Sequence, residues 1–180
     1  MVVLLLTGTP GTGKTSVAGE LTKHGFKVIH LNEAVGDDYL YLEGDCKVVD
    51  PLALAEKIRP IVEVDSIIEG HLAHLLGIKE VVIVLRTAPE ELRSRLRGKG
   101  FSEAKAGENV EAEALDVVLI EAMDLYDHVF EVDTTGRTAV ETAEDVLKIL
   151  GGKTKEYAPG RISWLNEYFE QNIASRKYLP

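Results

Sequence analysis

Gly8-Thr9-Pro10-Gly11-Thr12-Gly13-Lys14-Thr15 follows the spacing G-x-x-x-x-G-K-[ST] of a phosphate-cradling loop. The apolar run Val2-Val3-Leu4-Leu5-Leu6 precedes it and reads as a fully buried strand. Ser16-Val17-Ala18-Gly19-Glu20-Leu21 follows and reads as the first turns of a helix. The order has a physical reason. Glycines let the backbone wrap tightly, so that N–H groups point inward at phosphate oxygens. The helix behind the loop adds its N-terminal partial positive charge. In such a loop Lys14 reaches the β- and γ-phosphates of a nucleotide, and the Thr15 hydroxyl holds Mg²⁺.

Beyond this loop, four more apolar segments read as short buried strands: Phe26–Leu31, Ser66–Glu69, Val81–Leu85 and Val129–Asp133. Helical patterns lie between and after them, at about 14–23, 50–64, 89–97, 110–126 and 138–150. Asp50 followed by Pro51 is a favoured helix start, and Pro60 should kink or end that helix. Strands alternating with helices predict an α/β fold with a five-stranded parallel sheet covered on both faces. Ligands of such sheets bind at the carboxyl ends of the strands. Each predicted strand end carries polar residues: His30-Leu31-Asn32-Glu33, Glu69-Gly70-His71, Arg86-Thr87 and Asp133-Thr134-Thr135-Gly136-Arg137.

Composition narrows the function classes. A chain of 180 residues suits one well-buried core. Its net charge is −10, and residues 1–150 hold 27 acidic against 15 basic side chains. That balance disfavours strong direct binding to nucleic acid and suits a basic protein partner or simple solubility. With a single cysteine, Cys46, there is no intrachain disulfide, which fits a reducing cytoplasm. Neither a targeting peptide nor a membrane-spanning run is expected, so the protein reads as soluble, cytoplasmic and without a membrane partner.

Two stretches look like excursions from the sheet. Residues 32–50 are polar and tyrosine-bearing. Residues 98–108 are bounded by glycines, as a hinged lid would be, or are an ordinary surface loop. Arg93, Arg95 and Arg97 lie just before the second stretch. They either clamp a transferring phosphate or solvate the helix, and proximity to a phosphate loop favours the clamp. The last thirty residues hold five of the chain's eleven aromatics: Tyr157, Trp164, Tyr168, Phe169 and Tyr178. Leu165, Phe169 and Ile173 form a stripe at i, i+4, i+8. This C-terminal extension either packs back on the core or docks a partner.

The segments GTPGTGKT, IIEGH and VLRTAPEELRSRLRGKGF together resemble the small adenylate-kinase-like P-loop NTPases of archaea and eukaryotic nuclei, the sixth adenylate kinase isoenzyme group. The resemblance covers about residues 1–150, with 151–180 as an extension. It implies a P-loop kinase fold with a monophosphate-binding region at about 30–50, including Asn32 and Asp45, and a short lid at about 98–108. It implies ATP contacts at Gly11, Gly13, Lys14, Thr15 and Ser16, with Lys99 opening the lid where relatives often carry arginine. Glu69 stands where relatives usually have aspartate and would join Thr15 in holding Mg²⁺. His71, two residues on, would position the acceptor phosphate or a water, or else serve the core beside Leu72, Leu75 and Leu76. Arg95 would neutralise the transferring group. Arg137 would stack on adenine or cap the helix after it.

The family pairs adenylate kinase and ATPase activities with late assembly of the small ribosomal subunit, where it binds a basic platform ribosomal protein. Three readings stay open from the sequence. The chain is a nucleoside monophosphate kinase acting on ATP and AMP, an ATP-driven assembly factor, or a P-loop kinase for a small metabolite.

Overall fold

The predicted strands are too apolar to leave a face in water, and the fold buries both faces. The computed structural model describes residues 3–43, 46–78 and 81–176. Strands β1 (Leu4–Thr7), β2 (Lys27–His30), β5 (Ser66–Glu69), β6 (Val81–Arg86) and β7 (Val129–Asp133) form a parallel sheet in the order β2-β5-β1-β6-β7. A separate antiparallel hairpin pairs β3 (Tyr41–Glu43) with β4 (Cys46–Val48) inside the first excursion.

Side chains alternate across the sheet. Leu5, Ile68, Val82 and Val84 face a layer that includes α3 (Pro51–Ile58) and α6 (Val117–Leu125). Leu4, Leu6, Ile67, Ile83 and Leu85 face α1 (Lys14–Thr22) and α7 (Ala139–Leu150). The chain thus reverses direction about β1, the central strand, and the loop after β1 opens where the two halves of the sheet diverge.

Local chemistry sets the helix limits. The Asp50 carboxylate accepts from Leu52 N–H at 2.9 Å, and Pro51 occupies the first helical turn. Pro60 lies in the 3₁₀ turn Arg59–Ile61 that ends α3. Thr138 and Glu141 form a reciprocal capping box at the start of α7.

Two expectations change. The helical pattern over 110–126 is two helices, α5 (Glu103–Ala114) and α6, broken where Asp116 adopts a left-handed φ of 57°. And α5 starts within the segment expected to be a hinged loop. Ser102 caps it by accepting from Lys105 N–H, so 98–108 is a turn followed by helix, with Gly107 inside that helix.

The described part of the C-terminal extension packs back. Tyr168 joins Leu92, Leu96, Ala106 and Val110, a cluster between α4 (Pro89–Gly98) and α5. The amides of Arg161 and Ile162 donate to Glu131 at 2.6 and 2.9 Å. Among the described residues, no helix is long and apolar enough to cross a membrane.

One histidine of the core gives the fold a measurable acid sensitivity. His74 is 1% exposed. Its ring nitrogens share hydrogen bonds with the Thr7 hydroxyl and the Glu121 carboxylate, each at 2.9 Å. Burial pushes its pKa down, with Glu121 opposing. The unfolded chain therefore binds a proton more readily than the native one, and stability falls as pH drops below about 6.5. His74→Gln, which cannot titrate, should lose less Tm between pH 7 and pH 5 than the parent chain; an equal loss would contradict the assignment.

Candidate active site

Between β1 and α1 the phosphate loop is held from behind by its glycines. A Cβ on Gly8 (φ 137°) would lie 2.4 Å from the Leu85 carbonyl oxygen, and one on Gly11 (φ 97°) would lie 2.8 Å from the Leu92 side chain. The loop therefore seats against β6 and α4 only with glycine at both positions. Lys14 is buried, and its ammonium donates to the carbonyls of Gly8 at 2.8 Å and Thr9 at 3.0 Å. Burial lowers its pKa to about 8, against the opposing pull of Glu69 and Glu113.

Across the loop, β5 delivers Glu69. The Thr15 hydroxyl donates to this buried carboxylate at 3.1 Å, and His30 Nδ1 shares a hydrogen bond with it at 2.9 Å. A hydroxyl and a carboxylate form a hard oxygen set of the kind Mg²⁺ uses when phosphates and waters complete its shell. Among the described residues, no three His, Cys, Asp or Glu side chains gather into a metal-binding group. The residues present fit a metal that arrives with a nucleotide.

The loop is a ridge between two clefts. One, of about 490 Å³, is walled by Gly13, Ser16, Arg95, Lys99, Arg137 and Thr142. The other, of about 570 Å³, is walled by Asn32, Lys47, His71, Phe101, Lys105 and Asn109. Gly11 faces the first and Pro10 the second. The residues singled out from the sequence therefore divide by side of the ridge. Gly11, Gly13, Ser16, Arg95, Lys99 and Arg137 line the first cleft, Asn32 and His71 line the second, and Lys14, Thr15 and Glu69 line neither. Asp45 lies outside the described residues.

Several side chains are already engaged. Arg95 donates to the Thr134 hydroxyl and carbonyl at 3.0 and 2.7 Å, and to Glu91 at 2.5 Å. Arg137 is tied to α7, through Asp145 at 2.5 Å and the Glu141 carbonyl at 2.9 Å. It forms part of the cleft wall and also braces the helix. Arg97 forks onto Glu103 at 2.6 and 2.8 Å on the exposed surface and belongs to neither cleft. His71 lines its cleft with an exposed edge, yet desolvation, and then Lys14, lowers its pKa to about 4. The ring is neutral at pH 7.

One strand-end reading is corrected. Arg86 does not face a ligand site. It is 1% exposed and points inward to Glu113, Glu131 and Asp116. Other site residues were missed. Lys105 and Asn109 line the second cleft because α5 begins just after its Ser102 cap, where the flanking glycines suggested a loop. His30 was visible only as one polar strand end among several.

A family model described as an AAA domain matches residues 4–116. A Methanosarcina acetivorans protein named "Putative adenylate kinase" is 47% identical over 181 residues, covering 89% of this chain and 96% of its own length. An Archaeoglobus fulgidus protein of the same name is 44% identical, covering 92% of this chain and 93% of its own. The chain belongs to this adenylate-kinase-like P-loop family. The span shared with the Archaeoglobus relative is longer than residues 1–150, so family likeness extends into the C-terminal extension. Among solved structures, shikimate kinase from Acinetobacter baumannii matches with a TM-score of 0.59 at 13% identity, covering 85% of this chain and 94% of that one. At that identity the match speaks for the P-loop kinase fold alone.

Proposed function

We propose that the chain is a nucleoside monophosphate kinase that transfers the γ-phosphoryl group of ATP to AMP, with a slower ATP hydrolysis when water takes the acceptor's place. One observation carries the reading: two clefts flank the phosphate loop that carries the buried Lys14, one lined by Gly11 and Gly13 and the other by Pro10. Phosphoryl transfer needs two phosphates brought into line, charge neutralised and water kept out. An acceptor oxygen bonds to the γ-phosphorus, the bond to the β,γ-bridging oxygen breaks, and two ADP result.

In this reading the first cleft holds ATP and the second holds AMP. Lys14 swings from its own loop's carbonyls onto the phosphates. Arg95 exchanges Glu91 and Thr134 for the transferring group, and Lys99 closes over it from the start of the lid. Thr15 and Glu69 would hold Mg²⁺, which would supply charge neutralisation to the nucleotide's phosphates. Neutral His71 donates or accepts one hydrogen bond at the acceptor phosphate, with Asn32 beside it.

The deciding assay is ADP formation from ATP with and without AMP. Rapid AMP-dependent ADP formation is expected; AMP-independent phosphate release alone would overturn the kinase reading. His71→Ala should lower AMP-dependent turnover about tenfold while ATP affinity stays within about threefold. Unchanged turnover with a lowered Tm would mean that His71 only supports the fold.

A second reading follows from charge. Between Lys105 and Arg137 the chain has no lysine or arginine, and Glu108, Glu111, Glu121, Asp124 and Asp127 of that stretch are exposed. This supports a basic partner, and the family resemblance suggests the platform protein of the small ribosomal subunit, met in the cytoplasm. Binding should weaken as salt rises from 50 to 300 mM, because screening shortens to less than about 10 Å. A low-salt pull-down that recovers RNA but no basic protein would refute it.

A further inference from the structure

A buried polar relay starts at the phosphate loop and crosses the molecule. The Thr9 hydroxyl donates to Glu113 Oε2 at 2.5 Å. Glu113 Oε1 accepts from Arg86 Nε at 2.8 Å and from the Thr87 amide at 3.1 Å, and the Glu113 carbonyl accepts from Arg86 Nη2 at 3.0 Å. Arg86 also reaches Glu131, whose other oxygen receives the amides of Arg161 and Ile162. Thr9, Arg86, Glu113 and Glu131 are each no more than 2% exposed.

The helix that carries Glu113 gives the relay a direction. Lys105, Asn109 and Glu113 stand at i, i+4 and i+8 of α5, along one stripe about 12 Å long. The first two wall the second cleft. Asn109 Nδ2 donates to the Lys105 carbonyl at 2.7 Å, which stiffens the stripe. The third grips the loop between the clefts. On the loop itself, the Thr9 carbonyl accepts from Lys14 and from the Thr12 hydroxyl. Thr9 therefore joins Glu113 by its side chain and Lys14 by its backbone.

Stability alone does not call for this arrangement. One guanidinium stands among three carboxylates, and buried ion pairs are commonly no better for stability than apolar residues of the same volume. A threonine hydroxyl in a tight turn also has local backbone acceptors available. Here it spans 104 positions of sequence to a carboxylate on α5.

We infer that Glu113 is a positioning residue for phosphoryl transfer: it clamps Thr9 of the phosphate loop to the helix that walls the acceptor cleft, so that loop and cleft move as one body. The kinetic consequence rests on the kinase reading above; the mechanical one requires only that the loop binds ATP. When ATP binds, the clamp carries ordering from the loop into α5 and so pre-sets Lys105 and Asn109 before the acceptor arrives.

The full-length chain tests this in two arms. In the first, amide hydrogen exchange is followed with and without a non-hydrolysable ATP analogue. Protection should rise in residues 8–16 and also in 103–114; a rise confined to 8–16 overturns the clamp whatever the acceptor proves to be. In the second, Thr9→Val removes the hydroxyl while leaving the Arg86–Glu113 pair, and Thr9→Ser restores it. Thr9→Val should raise the KM for AMP and lower AMP-dependent kcat about tenfold, a larger change than in analogue affinity. It should also abolish the added protection of 103–114. Thr9→Ser should recover both. Equal transfer by all three proteins overturns the inference, as does a loss shared by Val and Ser in proportion to a fall in Tm. A parent chain that transfers nothing to AMP defeats the kinase reading, and the exchange arm still decides the clamp.

Discussion

Lys14→Ala should lower phosphoryl transfer from ATP by about a hundredfold or more, about 2.7 kcal/mol of barrier, in a protein that still folds. In the proposed reaction the charge it removes lies where the transferring group gains negative charge, and among the described residues no other lysine is buried. The fold should survive because the ammonium's partners are carbonyls of its own loop, at Gly8 and Thr9. The Thr9 carbonyl keeps the Thr12 hydroxyl, and leaving the Gly8 oxygen without the ammonium costs about 1–3 kcal/mol if it stays dry. Lys14→Met keeps the apolar stem and should match alanine in rate with less loss of Tm. Steady-state ADP formation and thermal unfolding, run together, check the prediction. Near-parental turnover in either folded variant would remove the phosphate loop from the mechanism.

Arg86→Met should produce the largest loss of stability. The variant leaves Glu113 and Glu131 buried without their cation. Breaking a buried pair on one side costs about 3–5 kcal/mol, and about 2–4 °C of Tm accompanies each kcal/mol in a domain of this size. A fall in Tm of roughly 6–20 °C is expected. Burial already raises the Glu131 pKa in the presence of Arg86, and loss of the guanidinium removes one of the influences that oppose the rise. The stability deficit should therefore shrink between pH 7 and pH 5, as a stranded carboxylate takes up a proton. A Tm within 2 °C of the parent at pH 7 would show that the cluster does not depend on its cation.

The contrast between Lys14 and Arg86 shows where sequence reading reaches its limit. Both are cations close to the carboxyl end of an apolar strand. Lys14 is placed by eight contiguous residues that match the spacing of a phosphate loop, and its ammonium reaches that loop's carbonyls. Arg86 was grouped with ligand-facing strand ends because nothing within ten residues of it reveals that Glu113, Asp116 and Glu131 converge on its guanidinium. Residues 98–108 show the same limit from the other side. Glycines at 98, 100 and 107 suggest a hinge, but Ser102 caps a helix that runs through Gly107, with Ala106 and Val110 buried against α4. Packing outweighed the glycine's modest helix cost of about 1 kcal/mol.

By itself, the sequence determined the glycine-rich loop between β1 and α1, the five apolar strands and the cap at Asp50. These follow from short-range rules: turn chemistry, side-chain periodicity and donor type at fixed spacing. The tertiary structure alone decided that the loop divides two clefts, that Lys105 and Asn109 of α5 wall the second, and that Thr9 is bound to Glu113. Those facts depend on which distant segments the parallel crossovers bring together. A carboxylate's role is set by the donors around it, and donors 104 and 27 positions away leave no trace in its local sequence.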